Sequence, residues 1–426
     1  MVAIKNNKYE VSVSKSTIWV LYTICYVILN CLPIVKYSIP YIFAGLFSIV
    51  PLLIVSFNDR KYCKILILFC IFGFLHGLIY FVNGYGTWTE IINEPIRCIR
   101  YFVPVVLLRK ILSSSRKKRV ITWFIISGLF LFVAISTLNG VRQNPMLARL
   151  LATGSSMSDD IAAYRYQNVG GFEFCYALGF TTPIWLYLLI REKGLKRFFA
   201  LVPLIIVFYF ALQVQYMTLL LICAASVFLV LFFCVKGSLK KLGIIFLSIA
   251  ILCLLPTIMR RIAYSGVESV LSQKLLNMAD VLEGKQQLSD TTSRTRLYFE
   301  AFEVFLSNLF VGAANSAAAS NAHSTILGAM ASSGILGGIS ICFGMYSCCR
   351  ETIGNLIQAD RKSMVYYICI FLFVMLLFVN PIHYAYEISI VMFLYIPLTL
   401  MIFSPNKKSH ETVHMCYDTC EKWYVV

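Results

Sequence analysis

A set of arginines and two histidines carry the chemistry this sequence offers. Arg142, Arg149, Arg165, Arg260, Arg261, Arg294 and Arg296 fall in polar stretches between apolar runs, and Arg97 and Arg100 open one such run. A guanidinium is planar, forked and permanently charged, so it matches phosphate oxygens better than an ammonium does. Lysine is sparse in the same stretches, with only Lys36, Lys274 and Lys285. Such arginines could stabilise a pyrophosphate leaving group, whose charge grows as its bond breaks. Their plainer roles are to hold lipid headgroups or to pair with Glu90, Glu94, Asp159, Asp160 and Glu300. His323 and His383 stand where a polar connection meets an apolar run, and an imidazole there can take a proton near neutral pH. No metal site is expected. Asp159 and Asp160 are adjacent and point different ways, and Cys416 and Cys420 beside His410 and His414 read as a frayed tail.

The elements that must position these groups are membrane helices. Hydrophobic residues make up 59% of the 426 and charged residues 13%, with a mean hydropathy of +0.78. Soluble domains carry about 25% charged residues, and a helical span needs about 20 apolar residues. The pattern predicts an all-α, polytopic integral membrane protein of about 12 transmembrane helices. They lie near 17–35, 37–57, 65–83, 96–108, 120–139, 172–190, 198–213, 217–235, 242–258, 323–349, 364–380 and 385–403. The run from Thr17 lacks a small-residue cleavage site, so it reads as a span and not as a signal peptide. Residues 1–16 are then a cytoplasmic tail, 17–403 the membrane domain, and 404–426 a second cytoplasmic tail. Two large outer loops interrupt the domain, at 140–171 and 259–322.

This alternation gathers the basic clusters on one side: Lys5/Lys8/Lys15, Arg60/Lys61/Lys64, Arg109/Lys110 with 116–119, Arg191–Arg197, Lys236–Lys241, Arg350–Lys362 and the tail. Those clusters account for the net charge of +17, which is the positive-inside signature and requires no nucleic acid. None of the fifteen cysteines falls in the outer loops, where oxidation would pair them. No GxxxxGK[ST] phosphate loop occurs, which excludes a primary pump. Within the second outer loop a helix begins near Thr292 or Ser293. Leu297, Ala301, Phe302, Phe305 and Leu306 form its apolar stripe, opposite Arg296, Glu300 and Glu303, as in a helix lying along a membrane surface.

The stretch from Arg294 to Gly338, RTRLYFEAFEVFLSNLFVGAANSAAASNAHSTILGAMASSGILGG, resembles the outer-loop signature of bacterial O-antigen and capsular polysaccharide polymerases and of the related O-antigen ligases. Gly312, His323, Gly334 and Gly337 stand where that pattern expects them. Ser324 replaces the Asn that many relatives carry after the histidine. The first loop, with YQNVGGFEFCYALGF, is also similar to the polymerase branch. The resemblance implies metal-independent, inverting glycosyl transfer without a cofactor, on the outer face of the bacterial inner (plasma) membrane. The donor would be an undecaprenyl-pyrophosphate-linked oligosaccharide among membrane lipids, and a chain-length regulator is an implied partner. His323 would act as general base, with Arg294 and Arg296 on the pyrophosphate, aided by Arg149, Arg165, Arg97, Arg100 and Arg142. Two alternatives stay open: a ligase that passes glycan to a lipid A core, and a flippase for lipid-linked glycan. A flippase is expected to carry ionisable residues within its spans, and few are found here, with Glu173 and Glu387 near span ends.

Overall fold

The computed structural model describes residues 14–403 apart from 57, 85–86, 145–146, 148–166, 215, 266–271, 273–274, 277–278, 281–282, 284–288, 314–322 and 358–362. The first helices are α1 (Lys15–Cys31), α2 (Pro33–Ser38), α3 (Tyr41–Ser56), α4 (Arg60–Val82) and α5 (Glu90–Leu112). Next come α6 (Arg116–Gln143), α7 (Phe172–Arg191), α8 (Leu195–Val214), α9 (Met217–Cys234) and α10 (Ser238–Ser265). The last are α11 (Ser289–Ser307), α12 (Thr325–Ile357), α13 (Ser363–Val379) and α14 (Tyr386–Phe403). The described residues contain no strand. Lipid offers the backbone no hydrogen bonds, so each span must satisfy its own, which a helix does.

Seven of these helices are long and apolar enough to cross a membrane, and eight if the bent α10 counts as one span. The chain is therefore a polytopic helical membrane protein. The remaining expected spans fall short for two physical reasons. Lys15–Cys31, Ile42–Ser56 and Met364–Val379 are short, and α5 carries Glu90, Glu94, Arg97, Arg100, Arg109 and Lys110. Yet α5 is among the most deeply placed elements, with every residue from Cys98 to Leu108 buried. α7 and α14 are also interior, each 83% buried over its apolar window, against 28% for α9 and 33% for α8. Outside them stand Phe43, Phe124, Phe246 and Leu247, each more than 60% exposed. Such a belt suits lipid and would aggregate in water.

Polar contacts sort into two ends of this bundle. At one end Lys118 donates to Ser14 and Ser16, Arg109 pairs with Asp59, and Lys61 reaches Glu351. At the other end Lys36 bridges Glu173 and Glu387, each at 2.8 Å, and Arg97 pairs with Glu94. Every group in the first set comes from segments expected inside, and every group in the second from segments expected outside.

The helix expected from Thr292 or Ser293 is present and begins earlier, at Ser289. Ala301 and Phe305 bury themselves against Ala331 of α12, while Phe299, Phe302 and Leu306 stay exposed. α12 itself is broken. Gly334 sits at φ 63°, ψ −165° inside it, and the incoming segment runs against the break. Ala313 N–H donates to the Ala331 carbonyl at 2.7 Å, and Ile335 N–H to the Leu309 carbonyl at 2.8 Å. A Cβ on Gly334 would lie 2.4 Å from the Phe310 carbonyl, and one on Gly312 would lie 2.4 Å from Ser333 N. Both glycines hold positive φ, a region that costs other residues free energy. The paired glycines let two backbones meet and satisfy the hydrogen bonds that the break releases.

Candidate functional site

His323 lies two residues before α12, and the next two residues fix its place. Ser324 accepts a hydrogen bond from Leu327 N–H at 3.2 Å and so caps the helix. Thr325 ties the same turn to the segment between α13 and α14: its N–H and hydroxyl both donate to the Asn380 carbonyl, and its hydroxyl accepts from Ile382 N–H at 2.7 Å. His323 takes a left-handed backbone, φ 48°, and is exposed. A histidine with positive φ is uncommon and tends to be held there by its surroundings.

The opposite wall comes from α4 and α5. Gly73 and Gly77 stand one turn apart on α4, and a Cβ on either would fall 2.5 Å from the α5 backbone, at Pro95 and Glu90. This close approach, of the small-residue kind seen between membrane helices, brings His76 and Tyr80 beside Glu90, Glu94 and Arg97. Arg97 is held by Glu94 at 2.5 Å and by Glu90 at 3.8 Å. Tyr384 donates its hydroxyl to the second oxygen of Glu94. Burial pushes the Tyr384 phenol well above its usual range, and Cys98 and Glu94 add to the effect, so it stays a donor.

Between these walls lies a cavity of about 380 Å³. Its lining joins His323, Ser324, Gly328 and Ser332 to Arg97, Glu90, Glu94 and the rings of Phe72, His76, Tyr80, His383 and Tyr384. The rings form a continuous aromatic face: Phe72 stacks on His76 at 6.0 Å, His76 on Tyr80 at 6.2 Å, and His383 meets Phe72 edge-on at 6.4 Å. Burial lowers His383 to about 3, and His76 and Arg97 press it the same way. Its imidazole is therefore neutral at physiological pH, and its Nδ1 has no hydrogen-bond partner among the described residues. One arginine faces two carboxylates here, so the described lining carries no surplus of positive charge. Aromatic faces edged by carboxylates and hydroxyls suit a neutral polyol, such as a sugar, better than a bare pyrophosphate.

The residues singled out in sequence fall in different places. His323 and Arg97 come together in the cavity. Arg100 lies one turn deeper on α5, buried, donating to Asn30 at 2.7 Å with its guanidinium 4.3 Å from the Tyr386 ring centre. Arg142 ends α6 and donates to the Tyr209 hydroxyl at 2.7 Å, apart from the cavity lining. Arg296 lies on the exposed face of α11 and pairs with Glu300 at 3.1 Å. The backbone of Arg294 is in α11, while its side chain, with Arg149 and Arg165, lies outside the described residues. Sequence reading missed His76, Tyr80 and Tyr384 as lining and Lys36–Glu173–Glu387 as a buried cluster. The glycine pair at 73 and 77 was the available signal for the first group. Searches against family models, curated proteins and solved structures find no match for this chain.

Proposed function

We propose that the chain polymerises lipid-linked oligosaccharide repeats on the outer face of the bacterial inner membrane, as a multi-pass protein of about twelve spans with both termini cytoplasmic. The observation that carries this reading is the meeting of His323 and Arg97, distant in the chain, in one aromatic-walled cavity at the end of the bundle expected outside. In this account the cavity receives the terminal sugar of the acceptor. An acceptor hydroxyl gives its proton to His323 and attacks the anomeric carbon of the donor sugar. The bond to the lipid pyrophosphate breaks on the opposite face, and the pyrophosphate leaves with the electron pair. Glu94 and Glu90 hold Arg97 and accept from sugar hydroxyls. The positive charge for the pyrophosphate would come from Arg149, Arg165, Arg294 and Arg296, in the two loops expected outside from the sequence, because the described cavity lining has none to spare.

The test is an electrophoretic ladder of surface polysaccharide from a deletion strain carrying wild type or His323→Ala. Wild type restores a ladder and His323→Ala leaves a single capped repeat. Full-length polymer left on its lipid carrier in the deletion strain would mark a ligase. Repeats trapped on the cytoplasmic face would mark a flippase. A full ladder with His323→Ala would remove His323 from the mechanism.

A further inference from the structure

The three helices that build the His323 cavity also enclose a larger one, of about 610 Å³, at the opposite end of the bundle. It lies between the start of α4, the end of α5 and the last turns of α12. Lys61, Lys64, Arg109 and Arg350 line it against Asp59 and Glu351. Arg109 is matched by Asp59 at 2.5 Å and packs over the Tyr62 ring at 5.2 Å, and Lys61 reaches Glu351 at 4.0 Å. Lys64 and Arg350 are left with no ion pair among the described residues, so the lining carries two positive charges in surplus. Helix C-termini attract cations only within their last turn, whereas Arg350 stands two turns before the end of α12. Asn355 adds a second, independent mark: its Nδ2 donor is buried in this lining with no partner among the described residues. Ile65, Ile353 and Ile357 share the wall, and Ile357 is 59% exposed at its edge.

We infer that this cavity binds a phosphate-bearing anion, and that the apolar edge favours an acidic phospholipid headgroup over a free phosphate. Lys64 and Arg350 would supply the charge and Asn355 a neutral donor. Basic pockets between helices on the cytoplasmic side of a membrane are suited to acidic headgroups. Nothing in this inference depends on the glycosyl-transfer reading.

The experiment is native mass spectrometry of the full-length protein released from nanodiscs holding equal phosphatidylglycerol and phosphatidylcholine, with inorganic pyrophosphate as a separate probe. Wild type should retain phosphatidylglycerol selectively. Lys64→Gln/Arg350→Gln should weaken retention about thirtyfold, from about 1 kcal/mol per basic residue. Lys240→Gln/Lys241→Gln, which leaves the cavity intact, should change it little. Asn355→Leu keeps every charge and should still weaken binding, which guards against misfolding of the double variant. Pyrophosphate binding with the same dependence on Lys64 and Arg350, without lipid retention, would uphold the site and make its ligand soluble. Equal losses in both double variants, or no dependence on Lys64, Arg350 and Asn355, would overturn it.

Discussion

At the scale of single residues, the account rests on His323 as a positioned base and on Arg97 as a cation held by two carboxylates. Replacing His323 with Ala should lower the rate of transfer about 10²–10⁴-fold, the usual contribution of a general base, with the protein still inserting normally. Quantifying polymer formed per unit of membrane-inserted protein checks this. His383 has a different role. Its pKa drops from 6.5 to about 3 on folding, so the unfolded chain takes up the proton first. Stability is then whole above pH 6.5 and is lost progressively as pH falls from 6.5 toward 3. Replacing His383 with Gln should flatten that decline in thermal midpoint between about pH 7 and pH 4.5 in detergent. An unchanged slope would mean that this imidazole is not the group responsible.

At the scale of elements, the break in α12 seats the incoming segment, and the ties of Thr325 to Asn380 and Ile382 hold the turn that carries His323. Gly334→Ala puts a side chain at φ 63° and 2.4 Å from the Phe310 carbonyl. It should destabilise by at least about 1–3 kcal/mol and lower the fraction recovered as monodisperse protein on size exclusion. Thr325→Val removes the acceptor of Ile382 N–H, a buried group whose loss costs about 1–3 kcal/mol. It should reduce activity together with stability, read as a lower thermal midpoint beside a weaker ladder. The sequence made part of this legible. The apolar runs locate almost every helix, and the signature glycines at 312 and 334 have a physical reason in the backbone pairing they permit. Along the apolar stripe of α11, Ala301 and Phe305 are buried against α12, while Phe302 and Leu306 face outward. That face packs on α12 only along a narrow line, and periodicity alone does not tell a protein neighbour from lipid. Arg97 proved to be both lining and ion-paired, two roles that composition had set as alternatives. Tyr384, in the connection between α13 and α14, and His76, on α4, are distant in the chain, and their meeting depends on tertiary packing, which no local pattern encodes.

At the scale of the molecule, two cavities occupy opposite ends of the α4, α5 and α12 unit. In the proposed orientation, which rests on the positive-inside rule, the larger faces the cytoplasm and the smaller the outside. A fluorescent-protein reporter fused after Phe403 should therefore glow, and alkaline phosphatase fused after Asn144 or Glu283 should be active. The reverse pattern would invert the membrane orientation and put the His323 cavity on the wrong side for a lipid-linked donor that has already been flipped. The most direct measurement uses purified protein in vesicles, supplied with lipid-linked repeat units and no soluble factor. Wild type should lengthen the glycan one repeat at a time and release lipid pyrophosphate in equal amount, while His323→Ala binds the donor and does neither at a comparable rate. Extension by His323→Ala at the wild-type rate, or failure of the wild type to extend at all, would contradict the assignment of this cavity as the site of transfer.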